Sequence, residues 1–166
     1  MSDTTRIKTI IVDDEQPARN KIRELLKSDP DIEIIDECSN GREAVQTIVA
    51  KSPDLMFLDI QMPELDGFGV IEAIGPDQLP AVIFVTAYDH YAVQAFEVHA
   101  VDYLLKPFDR ERFQTALDRA KAHFQLDHRK ELNLQLNSIL RELKGPAKQY
   151  ERFVVKSGGR VFFLKN

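Results

Sequence analysis

The chain has a single cysteine, Cys38. An intramolecular disulfide is thereby excluded, a reducing compartment fits, and a lone thiol is more often inert packing than a nucleophile. No apolar run comes near the ~20 residues that a membrane-spanning helix needs, so no membrane insertion is expected. The first residues, MSDTTRIKTIIVDDE, put acidic side chains directly behind a short apolar run and offer no small-residue cleavage site, so they do not resemble a secretory signal. A cytoplasmic protein is expected. The histidines at 90, 99, 123 and 128 show no spacing with acids or cysteine that suggests metal ligands, and packing or surface roles account for them. The glycines of DGFG, residues 66–69, do not open a phosphate-binding loop, so nucleotide binding is not expected.

What is present suits one ordinary domain with something added: 166 residues, 43% hydrophobic and 30% charged, in the soluble globular class. The charge is unevenly placed. Residues 1–124 carry 13 Lys and Arg against 23 Asp and Glu, a balance of −10, while residues 125–166 carry 9 against 4, a balance of +5. An acidic body with a basic tail hints at two jobs.

Five short apolar segments recur: IKTIIV at 7–12, IEIIDE at 32–37, DLMFL at 54–58, AVIFV at 81–85 and DYLL at 102–105. Runs rich in Ile, Val and Phe without strict alternation suit strands covered on both faces, the condition of a parallel sheet. Helical patterns lie between them. EQPARNKIRELLKS has a narrow stripe of Ile22, Leu25 and Leu26, with Pro17 tolerable in its first turn. NGREAVQTIVAKS is expected to place Ala44, Val45, Ile48 and Val49 on one face before Ser52 and Pro53 stop it. DGFGVIEAIG and DHYAVQAFEVHA are two further helices, and a fifth begins near Asp109 with Phe113, Ala116, Leu117, Ala120 and Phe124 in 3,4 spacing. The order predicts an α/β fold: a doubly wound five-stranded parallel sheet with helices on both faces.

Beyond residue 124, Leu132, Leu136, Ile139 and Leu143 are spaced 4, 3, 4, but His128 and Glu131 interrupt the register with the preceding stripe. A continuous helix with a stutter and two helices with a break both fit. Gly145 and Pro146 are expected to end it. ERFVVKSGGRVFFLKN, residues 151–166, then reads as a strand, a turn at Gly158 and Gly159, and the opening of a second strand.

In open α/β sheets, ligands sit beyond the carboxyl ends of the strands. There the sequence delivers Asp13, Asp14 and Glu15 after the first strand, Asp59 after the third, Thr86 at the end of the fourth, and Lys106 and Pro107 after the fifth. Carboxylates gathered at one rim repel one another unless a cation joins them, and Mg²⁺ takes hard oxygen ligands of this kind. Lys106 and Thr86 add a compact positive charge and a hydroxyl, the remaining needs of a phosphate. Each piece alone is commonly a helix cap or a turn. Their arrival at one depth in successive units is what points to a phosphoryl site.

VDDEQ (12–16), DIQMPELDG (59–67), VTAY (85–88) and DYLLKPF (102–108) together resemble the receiver domain of bacterial two-component response regulators, the CheY-like family. The resemblance covers residues 7 to about 124. It implies that Asp59 accepts a phosphoryl group from a sensor histidine kinase or a small donor, and that the chain is a phosphoacceptor with slow self-dephosphorylation, not an enzyme in its own right. It further implies Mg²⁺ held by Asp14, Asp59 and the Gln61 backbone carbonyl, with Asp13 acting through water. Lys106 would pair with Asp59 and then with phosphate, and Ala87, Tyr88 and Pro107 would surround it. Thr86 and Tyr103 would form the switch, and the Lys106–Pro107 bond would be cis. A homodimer is expected, the face from the fourth helix across the last strand to the fifth being the common one.

AFEVHAVDYLLKPFDRERFQTALDRA (95–120), with FVVKSGGRVFFLKN, resembles the LytTR (LytR/AlgR) type, whose effector is a mostly β DNA-binding domain. The expected organisation is a receiver over 1–124, a helical linker over 125–147, and the incomplete start of a LytTR-type domain over 148–166. A transcription regulator that binds promoter DNA in its full length, though not specifically through this stretch, is expected. The competing readings are a stand-alone receiver acting by protein contact and a Mg²⁺-dependent phosphatase on a similar sheet. The apolar strand residues 153–155 and 161–163 count against the first, and Lys106–Pro107 in place of an acid or base counts against the second.

Overall fold

The structure, a computed structural model, describes residues 5–143, 152–157 and 160–165. The elements run β1 (Ile7–Val12), α1 (Gln16–Leu26), β2 (Ile32–Cys38), α2 (Gly41–Lys51), β3 (Leu55–Leu58), α3 (Gly67–Ile74), β4 (Ala81–Thr86), a 3₁₀ turn (Asp89–Tyr91), α4 (Ala92–Glu97), β5 (Asp102–Leu105), α5 (Arg110–Leu143), β6 (Arg152–Ser157) and β7 (Arg160–Lys165). The first five strands form one parallel sheet in the order β2-β1-β3-β4-β5. That is the doubly wound arrangement the sequence predicts. The chain leaves β1 for β2 on one side and returns to β3 on the other, so a crevice opens at the carboxyl ends of β1 and β3.

Side chains alternate across each strand, and here both faces are apolar. Ile11, Phe57, Ile83, Val85 and Leu104 point toward α1 and α5, where Ile22, Leu26, Phe113 and Leu117 meet them. Ile10, Met56, Leu58 and Phe84 point the other way, toward Ala44, Ile48, Val70 and Ala95. Two cores flank the sheet, which is why the strands read as unbroken hydrophobic runs. Phe57 and Phe113 stack with ring centroids 5.4 Å apart, and removing either ring would cost about 3–5 kcal/mol. Cys38 is buried, and burial pushes its thiol up to about 11. That suits a packing role.

Local signals set the helix ends. Asn40 caps α2 by accepting the Glu43 N–H at 2.8 Å, while Glu43 reaches back past the cap to accept the Ser39 N–H at 2.8 Å. Asp66 caps α3 by accepting the Gly69 N–H at 2.8 Å. Pro17 sits in the first turn of α1, where no intrahelical N–H is lost.

Two expectations change, and one open choice closes. Ala44 and Ile48 of α2 are buried and Val45 is half-buried, but Val49 is 61% exposed. A position one residue on is turned about 100° around the helix and falls outside so narrow a stripe. The fourth helix is a 3₁₀ turn followed by only six α-helical residues, closing at His99 in the left-handed region with φ 62°. The choice between one helix and two is settled: α5 runs 34 residues without a break and passes residue 124 as regular helix. Phe113, Ala116, Leu117 and Ala120 are buried against the sheet, whereas Leu132, Leu136, Ile139 and Leu143 stand exposed.

β6 and β7 pair antiparallel, with Ser157 opposite Arg160. The expected turn at Gly158 and Gly159 and the expected helix stop at Gly145 and Pro146 lie outside the described residues. Among the described residues no helix is long and apolar enough to cross a membrane.

Candidate functional site

Strand pairing assembles the site. Val12 is in register with Leu58, so Asp13 and Asp59 leave neighbouring strands side by side. The Asp59 N–H donates to the Val12 carbonyl at 2.9 Å, the Asp13 N–H to the Cys38 carbonyl at 3.1 Å, and the Lys106 N–H to the Thr86 carbonyl at 2.7 Å. Backbone pairing thus continues one residue past each strand and aims these side chains to one rim. Carboxylate oxygens of Asp13, Asp14 and Asp59 lie within 4.8 Å of one another. Asp13 and Asp59 are buried and Asp14 is exposed.

One ammonium faces the two buried carboxylates. Lys106 Nζ donates to Asp13 Oδ2 at 2.8 Å and stands 3.6 Å from Asp59 Oδ2. The pairing expected with Asp59 is therefore shared, with the shorter contact on Asp13. Asp13 also accepts the Glu15 N–H at 2.9 Å on its other oxygen, and its carbonyl accepts from Arg19 at 2.6 Å. Asp59 accepts the Gln61 N–H at a long 3.3 Å, its one hydrogen bond among the described residues. Burial, joined by the nearby charge of Asp13, pushes the Asp59 carboxyl up to about 7 against the pull of Lys106. Burial would lower the Lys106 ammonium, but the Asp13 hydrogen bond and the charges of Asp59 and Asp13 outweigh it and hold it above the usual range.

Among the described residues, three gathered carboxylates with one ammonium beside two of them are short of positive charge. The raised Asp59 carboxyl reflects its burial first and the neighbouring carboxylate charge second. An all-oxygen donor set of this size fits a hard divalent cation better than a soft one.

The remaining predicted residues ring this rim. Thr86 is fully buried, its hydroxyl oxygen 3.4 Å from the Tyr88 N–H it accepts from. Ala87 and Tyr88 are exposed beside it. The Tyr103 hydroxyl donates to the Tyr88 carbonyl, tying the ring to the segment that follows Thr86. The Lys106–Pro107 bond is cis. The loop beyond it is pinned by Lys21, whose ammonium donates to the Phe108 carbonyl at 2.7 Å and lies 4.1 Å from the Phe108 ring centroid.

Several contributors escaped sequence reasoning. Gly67 packs so tightly that a Cβ would lie 2.7 Å from the Asp59 carbonyl oxygen, so its lack of a side chain sets how closely α3 approaches the acceptor loop. Its place in DIQMPELDG was the available signal. Arg112 holds Asp102 through two hydrogen bonds of 2.8 and 2.9 Å and also reaches the Tyr103 carbonyl at 3.1 Å, while Arg119 adds a 3.0 Å contact to Asp102. These two arginines and Arg19 look in sequence like ordinary polar helix positions.

The same segments carry the kinship. Residues 9–118 match the response regulator receiver domain. Over 113 residues the chain is 51% identical to a response regulatory protein of Yersinia pestis, covering 68% of this chain and 48% of that protein. Over 115 residues it is 46% identical to the transcriptional regulatory protein BtsR of Escherichia coli (strain K12), covering 69% and 48%. The crystal structure of the response regulatory domain of mrkE from Klebsiella pneumoniae matches with a TM-score of 0.67 at 32% identity, over 72% of this chain and 98% of that one. The chain spans about half the length of the curated relatives it matches. With Asp13, Asp14, Asp59, Thr86 and Lys106 gathered at the carboxyl rim of this sheet, the chain belongs to the response regulator receiver domain family.

Proposed function

We propose that Asp59 is the phosphoacceptor of a two-component system. The observation that carries this is its placement: a buried carboxylate at the crevice, beside two further acids and within 3.6 Å of the Lys106 ammonium. One Asp59 oxygen attacks phosphorus as the bond from phosphorus to the kinase histidine nitrogen breaks, and that nitrogen keeps the electron pair. Such a transfer needs aim and charge neutralisation more than proton chemistry. Lys106 is placed to move its pairing onto the phosphoryl oxygens, and Thr86 to offer its hydroxyl. Asp14, Asp59 and the Gln61 carbonyl would hold Mg²⁺ directly and Asp13 through water, and the bound ion would supply positive charge to the equatorial oxygens.

The switch uses Thr86 and Tyr103. A phosphoryl group brings about −1.5 to −2 charges and three acceptors, drawing Thr86 toward it. Tyr103, joined to the Tyr88 carbonyl, follows the movement of that segment. Among the described residues the site offers no dedicated base for water, so self-dephosphorylation is slow and the chain acts as a signalling switch, not as an enzyme in its own right. In the longer protein the output is transcription control through a LytTR-type DNA-binding domain, in the cytoplasm and as a homodimer. Support comes from a relative named as a transcriptional regulatory protein and from the antiparallel strands β6 and β7. Incubation with acetyl phosphate and Mg²⁺ tests the acceptor. One phosphoryl group should appear by intact mass on the native protein, and equal labelling of Asp59→Asn would overturn the assignment.

A further inference from the structure

Gln61 stands two residues beyond Asp59, and its side chain reaches across to another loop: Gln61 Nε2 donates to the Tyr91 hydroxyl at 3.0 Å. Tyr91 closes the 3₁₀ turn that follows β4, and β4 is the neighbour of β3 in the sheet. The bond therefore bridges the two loops that bound the mouth above Asp59 on this side. Both ends are anchored. The Tyr91 ring lies 4.1 Å from the His90 ring, 5.9 Å from Phe68 and 6.3 Å from Tyr88, and Phe68 rests 5.1 Å from the core ring of Phe84. At the other end the Gln61 backbone N–H faces Asp59 Oδ1 at 3.3 Å.

We infer that Tyr91 is a positioning residue which, by tying the Gln61 carboxamide across the mouth, prolongs the life of the acyl phosphate on Asp59. The inference rests on the reading of Asp59 as acceptor. Hydrolysis requires a water oxygen to bond to phosphorus in line as the bond from phosphorus to the Asp59 oxygen breaks. The electron pair returns to the Asp59 carboxylate, and the protons of water pass to phosphate and solvent. In-line attack comes from the side opposite the Asp59 oxygen, which is the open mouth. With its amide nitrogen committed to Tyr91, the Gln61 side chain stays in that entry. Freed, it swings clear and solvent enters.

Tyr91→Phe deletes the hydroxyl and keeps the ring packing. After labelling with acetyl phosphate and Mg²⁺ and removal of the donor, phosphoprotein decay is followed by intact mass. Loss of one hydrogen bond predicts decay about two- to ten-fold faster. Gln61→Ala, which leaves Tyr91 in place, should accelerate decay similarly, and adding Tyr91→Phe to it should change nothing more. A merely structural role for Tyr91 would act equally in both backgrounds, and that result overturns the inference. Unchanged or slower decay in Gln61→Ala overturns it whatever Tyr91→Phe does. A native protein that takes no label overturns the acceptor reading as well, whereas normal labelling with unaltered decay overturns this inference alone.

Discussion

The Lys106 ammonium gives its short hydrogen bond to Asp13, 2.8 Å away. Asp59, its neighbour across the same crevice, is left at 3.6 Å with a long backbone hydrogen bond and a carboxyl pushed up to about 7. The residue that must be anionic to attack phosphorus is the less well compensated of the two buried acids. Asp13 therefore acts on the acceptor twice, by adding like charge and by holding the lysine.

Asp13→Asn tests this. Removing the negative charge and the strong claim on Lys106 should lower the Asp59 carboxyl toward the ordinary carboxylate range, since both effects act in that direction. Carbon-13 NMR of the Asp59 carboxyl across pH reads it directly. A midpoint unmoved from near 7 would show that burial alone sets it.

The raised carboxyl also fixes a pH dependence of stability without added metal. The folded state holds the Asp59 proton up to about pH 7, whereas the unfolded chain releases it near 4. Between those values the folded state binds more protons, so stability falls as pH rises and the loss is complete above pH 7. Asp59→Asn should raise the melting temperature at pH 7.5 by several degrees, with little gain at pH 4.5. Equal gains at both pH values would contradict the assignment. Added Mg²⁺ should stabilise the native protein at pH 7.5 and leave Asp59→Asn nearly unaffected.

Much of this was written in the sequence, for physical reasons that differ by residue. The strands were legible because both faces of the sheet are covered, so Ile10, Ile11, Phe57 and Phe84 form continuous runs. Asp13, Asp59, Thr86 and Lys106 were legible because a parallel sheet delivers every strand end to one rim. What escaped depends on distances across the fold. No pattern in α1 separates Arg19, bound to the Asp13 carbonyl, from a solvated arginine, and nothing local says that Lys106 prefers Asp13. Val49 was misplaced because four apolar residues overfill a stripe that buries two.

Gly67→Ala should damage the site through packing. A Cβ at 2.7 Å from the Asp59 carbonyl oxygen forces either α3 or the acceptor loop to move, at a cost of about 1–3 kcal/mol. Chemical denaturation reads the cost, and the rate of labelling by acetyl phosphate should fall with it. Native stability and labelling would show that the contact is slack.

The exposed row Leu132, Leu136, Ile139 and Leu143 lies on one face of α5 with the 4, 3, 4 spacing of a coiled-coil seam. A second copy presents the same seam and is its natural complement. Leu136→Lys with Ile139→Lys should therefore shift the protein toward monomer in sedimentation velocity at high concentration. A native protein that is strictly monomeric, with and without acetyl phosphate, would count against the dimer.

In the proposed mechanism the phosphoryl group resides on Asp59 as an acyl phosphate. Borohydride reduction of the labelled protein, followed by peptide mass mapping, addresses it most directly, since reduction converts an aspartyl phosphate to homoserine and leaves free carboxylates and phosphohistidine unchanged. Homoserine at position 59 and at no other aspartate is the predicted result. Homoserine at position 13 or 14, or a label that leaves no homoserine at all, would contradict it.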